Sequence, residues 1–142
     1  MKRSFKFLFS AALLAGSALT AWSADNQKAI EYFQSGFPEY AKAILLNNLQ
    51  DPSTNKEEAY FNLGEIYFEL NMPDSAAYYY QKGLEANPNS VANKVGTAKL
   101  KIQSDPKAAE AVFKELVSGK NKKNPEYYTL IGQAYLDNGD PE

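Results

Sequence analysis

The sequence contains neither Cys nor His. Without Cys there is no thiol nucleophile and no disulfide, and without either residue there is no Cys/His zinc site and no His-based acid–base catalysis. These absences exclude the enzyme classes that depend on such side chains. We therefore predict that the chain is not an enzyme, with no catalytic residue, no metal and no cofactor.

An excess of positive charge is also lacking. The 142 residues contain 15 Lys+Arg against 17 Asp+Glu, for a formal charge of -2 and a pI near 5.3. Nucleic-acid-binding domains carry a basic surface, so we expect no nucleic-acid partner. Because 44% of the residues are hydrophobic and 13% are aromatic, the composition favours one folded domain over disorder.

Residues 1–24 have the pattern of a secretory signal peptide. Basic residues at the start precede an apolar run over 7–15, and small residues at 21 and 23 are typical of a cleavage site. The apolar run is too short for a comfortable membrane span, and no Cys follows it for lipid attachment. We predict an exported protein of the periplasm or cell envelope that is not a lipoprotein and has no membrane span in the mature chain. An uncleaved anchor and an amphipathic transit peptide are the alternatives.

Two helical patterns meet within residues 57–90. Each places its apolar residues on one helix face, and a break at residues 71–73 separates them. The first stripe is Tyr60, Leu63, Gly64 and Tyr67, and the second is Ala76, Tyr80, Gly83 and Leu84. A Gly inside an exposed helix costs about 1 kcal/mol relative to Ala. Gly64 therefore predicts a point where another helix approaches too closely for a Cβ.

This spacing resembles the tetratricopeptide repeat (TPR), a helix-turn-helix unit of about 34 residues written W-x2-L-G-x2-Y, then A-x3-F, then P. Tyr60 replaces the Trp, and the positions that match are Leu63-Gly64, Tyr67, Ala76, Tyr80 and Pro88. Gly83 is a mild departure, since the family usually has Ala there.

Prolines mark the remaining repeats. Pro38, Pro73, Pro106 and Pro141 follow one another at steps of 35, 33 and 35 residues. Pro suits the first position of a helix, so each is predicted to start the second helix of a repeat. The predicted array covers residues 25–142, with repeats at about 26–55, 57–90 and 91–124 and a partial repeat at 125–142 that indicates truncation.

The third repeat has an ambiguous register. Counting from Pro88 places Ala98 at the Gly position, whereas counting back from Pro106 places Thr97 there. One residue has been lost from the first helix or from its turn. The fourth repeat restores the pattern, because Gly132 lies 68 residues after Gly64.

The resemblance implies an all-α fold, an α-solenoid of TPR hairpins that forms a right-handed superhelix. It also implies a concave groove, lined by first helices, that binds segments of partner proteins. The groove positions that it implies are Glu58, Phe61, Glu65, Phe68, Glu69, Glu126, Thr129, Gln133, Leu136 and Asp137. This set is aromatic and acidic, so we expect a basic or apolar ligand segment and a protein-protein interaction scaffold as the function.

Other interpretations are open at this point. The chain could be the exported sensory or docking domain of a longer signalling or enzymatic protein, or its Tyr-rich surface could bind a glycan or another small ligand. The acidic side chains on the first helix of the second repeat also fit an ordinary solvated surface. An uncovered terminal repeat would in addition allow self-association.

Overall fold

The computed structural model describes residues 24–139, which form seven α-helices and one short 3-10 helix. The helices are α1 (Ala24–Gln34), α2 (Pro38–Asn48), α3 (Lys56–Glu69), α4 (Pro73–Ala86), α5 (Val91–Lys99), α6 (Pro106–Leu116) and α7 (Pro125–Asp137), and the 3-10 helix is Gly119–Lys123. The predicted signal peptide, apart from its last residue, and Pro141 lie outside the described residues. The fold of this range is all-α, as predicted.

Proline and capping side chains fix where the helices begin. Pro38, Pro73 and Pro106 each occupy the first turn of a second helix, as predicted. Asp105 caps α6 by accepting a hydrogen bond from the backbone N–H of Ala108. The first helices α3, α5 and α7 instead begin after Asn or Ser caps.

The helices pack in sequential pairs, α1 with α2, α3 with α4 and α5 with α6, and α7 packs against α5. Two apolar clusters form the core. The buried members of the first are Ala29, Ala41, Leu45, Ala59, Leu63 and Ile66, and those of the second are Val95, Ala98, Ile102, Ala109, Phe113, Leu116 and Ala134. Helices of this length are marginal alone in water, so burial of these faces provides most of their stability.

Tyr80 lies between the two clusters and is fully buried. A Cβ added at Gly64 or at Gly96 would overlap its ring. The close helix approach predicted at Gly64 is confirmed, and Gly96 makes the equivalent approach from the next repeat. One aromatic ring thus packs α4 against its own first helix and against the following one.

The structure also resolves the register of the third repeat. Ala98 is buried in the same cluster as Phe113, whereas Thr97 is only partly buried and donates a side-chain hydrogen bond to the Asn93 carbonyl. Ala98 therefore takes the position that Gly64 has in the second repeat. The missing residue lies in the turn before Pro106, which is eight residues from Ala98, whereas Pro73 is nine from Gly64.

Helix α7 exposes part of its apolar face. Tyr128 and Leu136 are each 48% exposed, and no atom lies within 4 Å of a Cβ built at Gly132. Its other face packs against α5 and α6 through Ala134 and Tyr135. Within residues 24–139, none of the helices has the length and apolar character that a membrane span requires.

Candidate functional site

Six side chains from the first helices α3, α5 and α7 meet on one surface, which we call the first-helix face. Its members are Glu65, Phe68, Glu69, Lys99, Gln133 and Asp137. Three of them follow the repeat, since Lys99 lies 34 residues after Glu65 and Gln133 lies 34 after Lys99. Equivalent positions of three successive repeats therefore meet in space.

Lys99 is at the centre of the first-helix face and is only 2% exposed. Its Nζ lies 2.7 and 2.8 Å from the two carboxylate oxygens of Glu65 and 3.0 Å from Asp137 Oδ2. The same Nζ lies 4.2 Å from the ring centroid of Phe68. A buried ammonium group needs such compensation, because removing it from water is costly. One cation therefore connects α3, α5 and α7.

Two opposing effects act on the pKa of Lys99. Burial disfavours the charged form, but Glu65 and Asp137 favour it through charge attraction and hydrogen bonds. The net result is a pKa above the ordinary value of 10.5. Lys99 is thus a permanent cation at physiological pH.

Glu65 also connects the first-helix face to the core. Its Oε1 accepts a hydrogen bond of 2.6 Å from the hydroxyl of Tyr80. Burial, and then the negative charge of Glu65, raise the pKa of Tyr80 well above its ordinary value of 10.0. Tyr80 therefore remains a neutral donor. Both oxygens of Glu65 have donors from within the chain.

Asp137 is equally well satisfied. Its Oδ1 accepts a 2.6 Å hydrogen bond from Gln133 Nε2, while its Oδ2 contacts Lys99. The next residue extends the connection to α5, because Asn138 Nδ2 donates to the Lys99 carbonyl and Gln103 Nε2 donates to the Asn138 carbonyl. These contacts fix the C-terminal end of α7 against that of α5.

Glu69 differs from the other two carboxylates. Among residues 24–139 its side chain has neither a hydrogen bond nor an ion pair. Partial burial raises its pKa above 4.5, and so do the nearby charges of Asp137 and Glu65, while Lys99 has the opposite effect. Three carboxylates and one ammonium group leave the first-helix face with a formal charge of -2.

A cleft of about 570 Å³ lies beside Glu69, at the C-terminal ends of α3, α5 and α7. Its lining combines the apolar side chains of Phe68 and Leu100 with polar groups that include Gln103 and Asp137. The C-terminus of a helix carries a partial negative charge, and neither α3 nor α7 has a basic residue in its last turn. The cleft is therefore suited to positive charge.

The predicted groove residues fall into three groups. Glu65, Phe68, Glu69, Gln133 and Asp137 come together around Lys99, as described above. Phe61 lies one turn away, with its ring centroid 6.1 Å from that of Tyr80. Three others lie along α7 outside the charged cluster: Glu126, Thr129 and Leu136.

Glu58 requires a correction, because it does not line an open surface. Its side chain is buried, with 7% exposed, and its Oε2 accepts a hydrogen bond of 2.9 Å from Asn26 Nδ2. Asn48 Nδ2 in turn donates to Asn26 Oδ1. The first helix of the preceding repeat covers Glu58, which therefore holds α1 against α3.

Sequence reasoning missed Lys99. A helical Lys is ordinarily assigned to the solvated surface, since Lys is almost never fully buried without a partner. The step of 34 residues from Glu65 to Lys99 could have revealed it, but only with the register of the third repeat counted from Pro88.

The Tyr-rich surface consists mainly of rings that pack against each other. Tyr67 and Tyr79 stack with centroids 5.2 Å apart and an interplanar angle of 9°, and Tyr60 stacks on Tyr79 at 6.4 Å. All three are half-buried, and burial raises the pKa of Tyr79 above 10.0. Tyr78 is more open, with 56% exposed. The arrangement stabilises the contact between α3 and α4.

Comparison with known proteins agrees with this geometry. The family model for the tetratricopeptide repeat matches residues 57–90, which cover α3, α4 and the turn between them. No curated protein and no solved structure matches the chain. No group of acidic side chains within residues 24–139 could hold a metal ion. The chain contains a tetratricopeptide repeat at residues 57–90, a unit that is generally a protein-protein interaction module and typically non-catalytic.

Proposed function

We propose that this protein is a scaffold that binds a segment of another protein on the first-helix face. The observation that carries the proposal is the convergence of three successive first helices on one surface with aromatic, apolar and acidic groups. Side chains from α3, α5 and α7 contact one another through Lys99, so the surface is continuous across three repeats. A continuous surface of this kind suits a polypeptide segment better than a small molecule.

The chemistry of the first-helix face favours a basic or apolar segment. Its formal charge is -2, and Phe68 and Leu100 supply apolar contact area in the cleft. A segment that ended in a carboxylate would meet Glu69 and Asp137 and would be repelled. The proposed ligand is therefore an internal segment of a partner.

The wider setting is also part of the proposal. We infer a right-handed superhelix of repeats that is exported to the bacterial cell envelope or periplasm, where it brings partner proteins together. The basic, apolar and small-residue pattern of residues 1–24 supports the export. The pairing of helices in sequence order supports the solenoid.

Cross-linked pull-down with the full chain tests the binding proposal. We expect the double variant Phe61→Ala/Phe68→Ala to lose partners that the unchanged protein retains, because both rings lie on the α3 side of the first-helix face. The matched control is Phe37→Ala/Tyr40→Ala, which removes two exposed aromatic rings at the start of α2. Circular dichroism melts establish that each variant is folded.

The result that overturns the proposal is a folded Phe61→Ala/Phe68→Ala variant that keeps every partner. Loss of the same partners by the control pair would also contradict it, since that loss would place the binding surface at α2.

A further inference from the structure

We propose that the cleft at the C-terminal ends of α3, α5 and α7 binds an arginine side chain of the partner segment, with Glu69 as the carboxylate that receives its guanidinium group. This inference rests on the proposed function and specifies the chemistry that the first-helix face recognises.

Charge complementarity selects Glu69 within the cluster. Glu65 already accepts from Lys99 and Tyr80, and Asp137 already accepts from Lys99 and Gln133. Glu69 has no donor among the described residues, and its charge is not neutralised, because Lys99 is shared by the other two carboxylates. A cation from outside the chain would therefore complete the cluster at Glu69.

The shape of the cleft fits a long side chain with a charged end. Phe68 and Leu100 provide apolar walls for the methylene groups, and Glu69 lies beside them. The cleft, at about 570 Å³, is large enough to hold an arginine together with part of the backbone that carries it. The carbonyl ends of three helices add partial negative charge at the same place.

Arginine is favoured over lysine because of the acceptors around the cleft. Gln103 uses its Nε2 on the Asn138 carbonyl, which leaves its Oε1 to accept, and the hydroxyl of Ser104 can accept as well. A guanidinium group has five N–H donors in a planar fork and is more weakly hydrated than an ammonium group. It can therefore contact Glu69 and a neighbouring acceptor at once.

Nuclear magnetic resonance titration of the full chain tests the inference with three probes: Nα-acetyl-arginine amide, Nα-acetyl-lysine amide and Nα-acetyl-glutamine amide. We expect the arginine probe to shift the backbone amide signals of Phe68 to Asn71, Leu100 to Ser104 and Asn138 in a saturable manner. The lysine probe is expected to bind several-fold more weakly, and the glutamine probe to cause no saturable shift.

Matched variants locate the charge. Glu69→Gln is expected to weaken binding of the arginine probe about tenfold, because a charge-assisted hydrogen bond is lost. Glu115→Gln removes the same unit of charge from an exposed position on α6 and is expected to change the affinity less than twofold. Absence of saturable shifts at the cleft, equal binding of arginine and lysine, or equal effects of the two variants would each overturn the inference.

The outcome is separable from that of the proposed function. If partners depend on Phe61 and Phe68 but the arginine probe does not bind at the cleft, the interaction surface stands and its specificity for arginine fails. If the probe binds through Glu69 but the aromatic variants keep every partner, the cleft stands and the proposed function fails.

Discussion

The hydroxyl of Tyr80 donates a 2.6 Å hydrogen bond to Glu65 Oε1, which joins the core of the hairpin stack to the first-helix face. The ring of Tyr80 packs between Gly64 and Gly96, and its oxygen reaches the carboxylate that pairs with Lys99. Packing of the apolar core and placement of the surface charges are therefore parts of one arrangement.

Replacing Tyr80 with Phe should separate these two roles. Tyr80→Phe keeps the ring and removes only the donor to Glu65, so we expect the free energy of unfolding to fall by about 1 kcal/mol. Urea unfolding followed by circular dichroism measures the change. Tyr78→Phe is the control, since that side chain is 56% exposed and a surface change of this kind is worth less than about 0.5 kcal/mol. Equal effects would contradict the assignment.

Removal of the buried cation should be more damaging. Lys99→Met retains most of the side-chain volume but leaves Glu65 and Asp137 facing each other without a counter-ion. We expect a loss of about 3 kcal/mol in the free energy of unfolding. Lys114→Met breaks the exposed ion pair with Glu110 and should cost less than about 0.5 kcal/mol. A small effect at Lys99 would show that the three-helix ion cluster is not needed for stability.

The glycines of α3 and α7 offer a matched pair, since both occupy the same repeat position. Gly64→Ala places a Cβ against the Tyr80 ring and should destabilise the protein by about 1–3 kcal/mol through overpacking. Gly132→Ala meets open space and should be neutral or stabilising by up to about 1 kcal/mol, because Ala favours helix. Thermal melts compare the two, and a loss at Gly132 as large as that at Gly64 would disprove the difference in packing.

Glu69 should make stability depend on pH in a defined direction. Because its pKa is raised above 4.5 in the folded state, folding favours the protonated form, and stability declines as pH rises from 4.5 through the folded pKa. Glu69→Gln removes that decline. We expect the variant to equal the unchanged protein below pH 4.5 and to exceed it at pH 7 in urea unfolding. A difference that is constant between pH 4 and pH 8 would contradict the raised pKa.

Sequence periodicity predicted the hairpins well, because Pro and capping residues act locally. Pro38, Pro73 and Pro106 start helices for a reason that depends only on the first turn. Gly64 also announced its own environment, since a mid-helix Gly is unfavourable unless a neighbour needs the space. Local rules therefore sufficed for helix starts and for one close contact.

The groove was harder to predict because its members depend on neighbouring repeats. Glu58 has the helical phase of a groove residue, yet α1 covers it and Asn26 bonds to its carboxylate. Lys99 has the composition of a surface residue, yet Glu65 and Asp137 keep it charged while buried. In both cases the outcome depends on a residue about 30 to 40 positions away, and the helical period carries no information at that distance.

The position of Lys99 between two acidic first helices means that the hairpins of this stack are not interchangeable. If the hairpin containing Lys99 were excised, or exchanged with the one before it, carboxylates would face one another where an attraction now exists. Each hairpin thus has a fixed place in the sequence of the stack, and grafting experiments would have to transfer the charges of α3, α5 and α7 together.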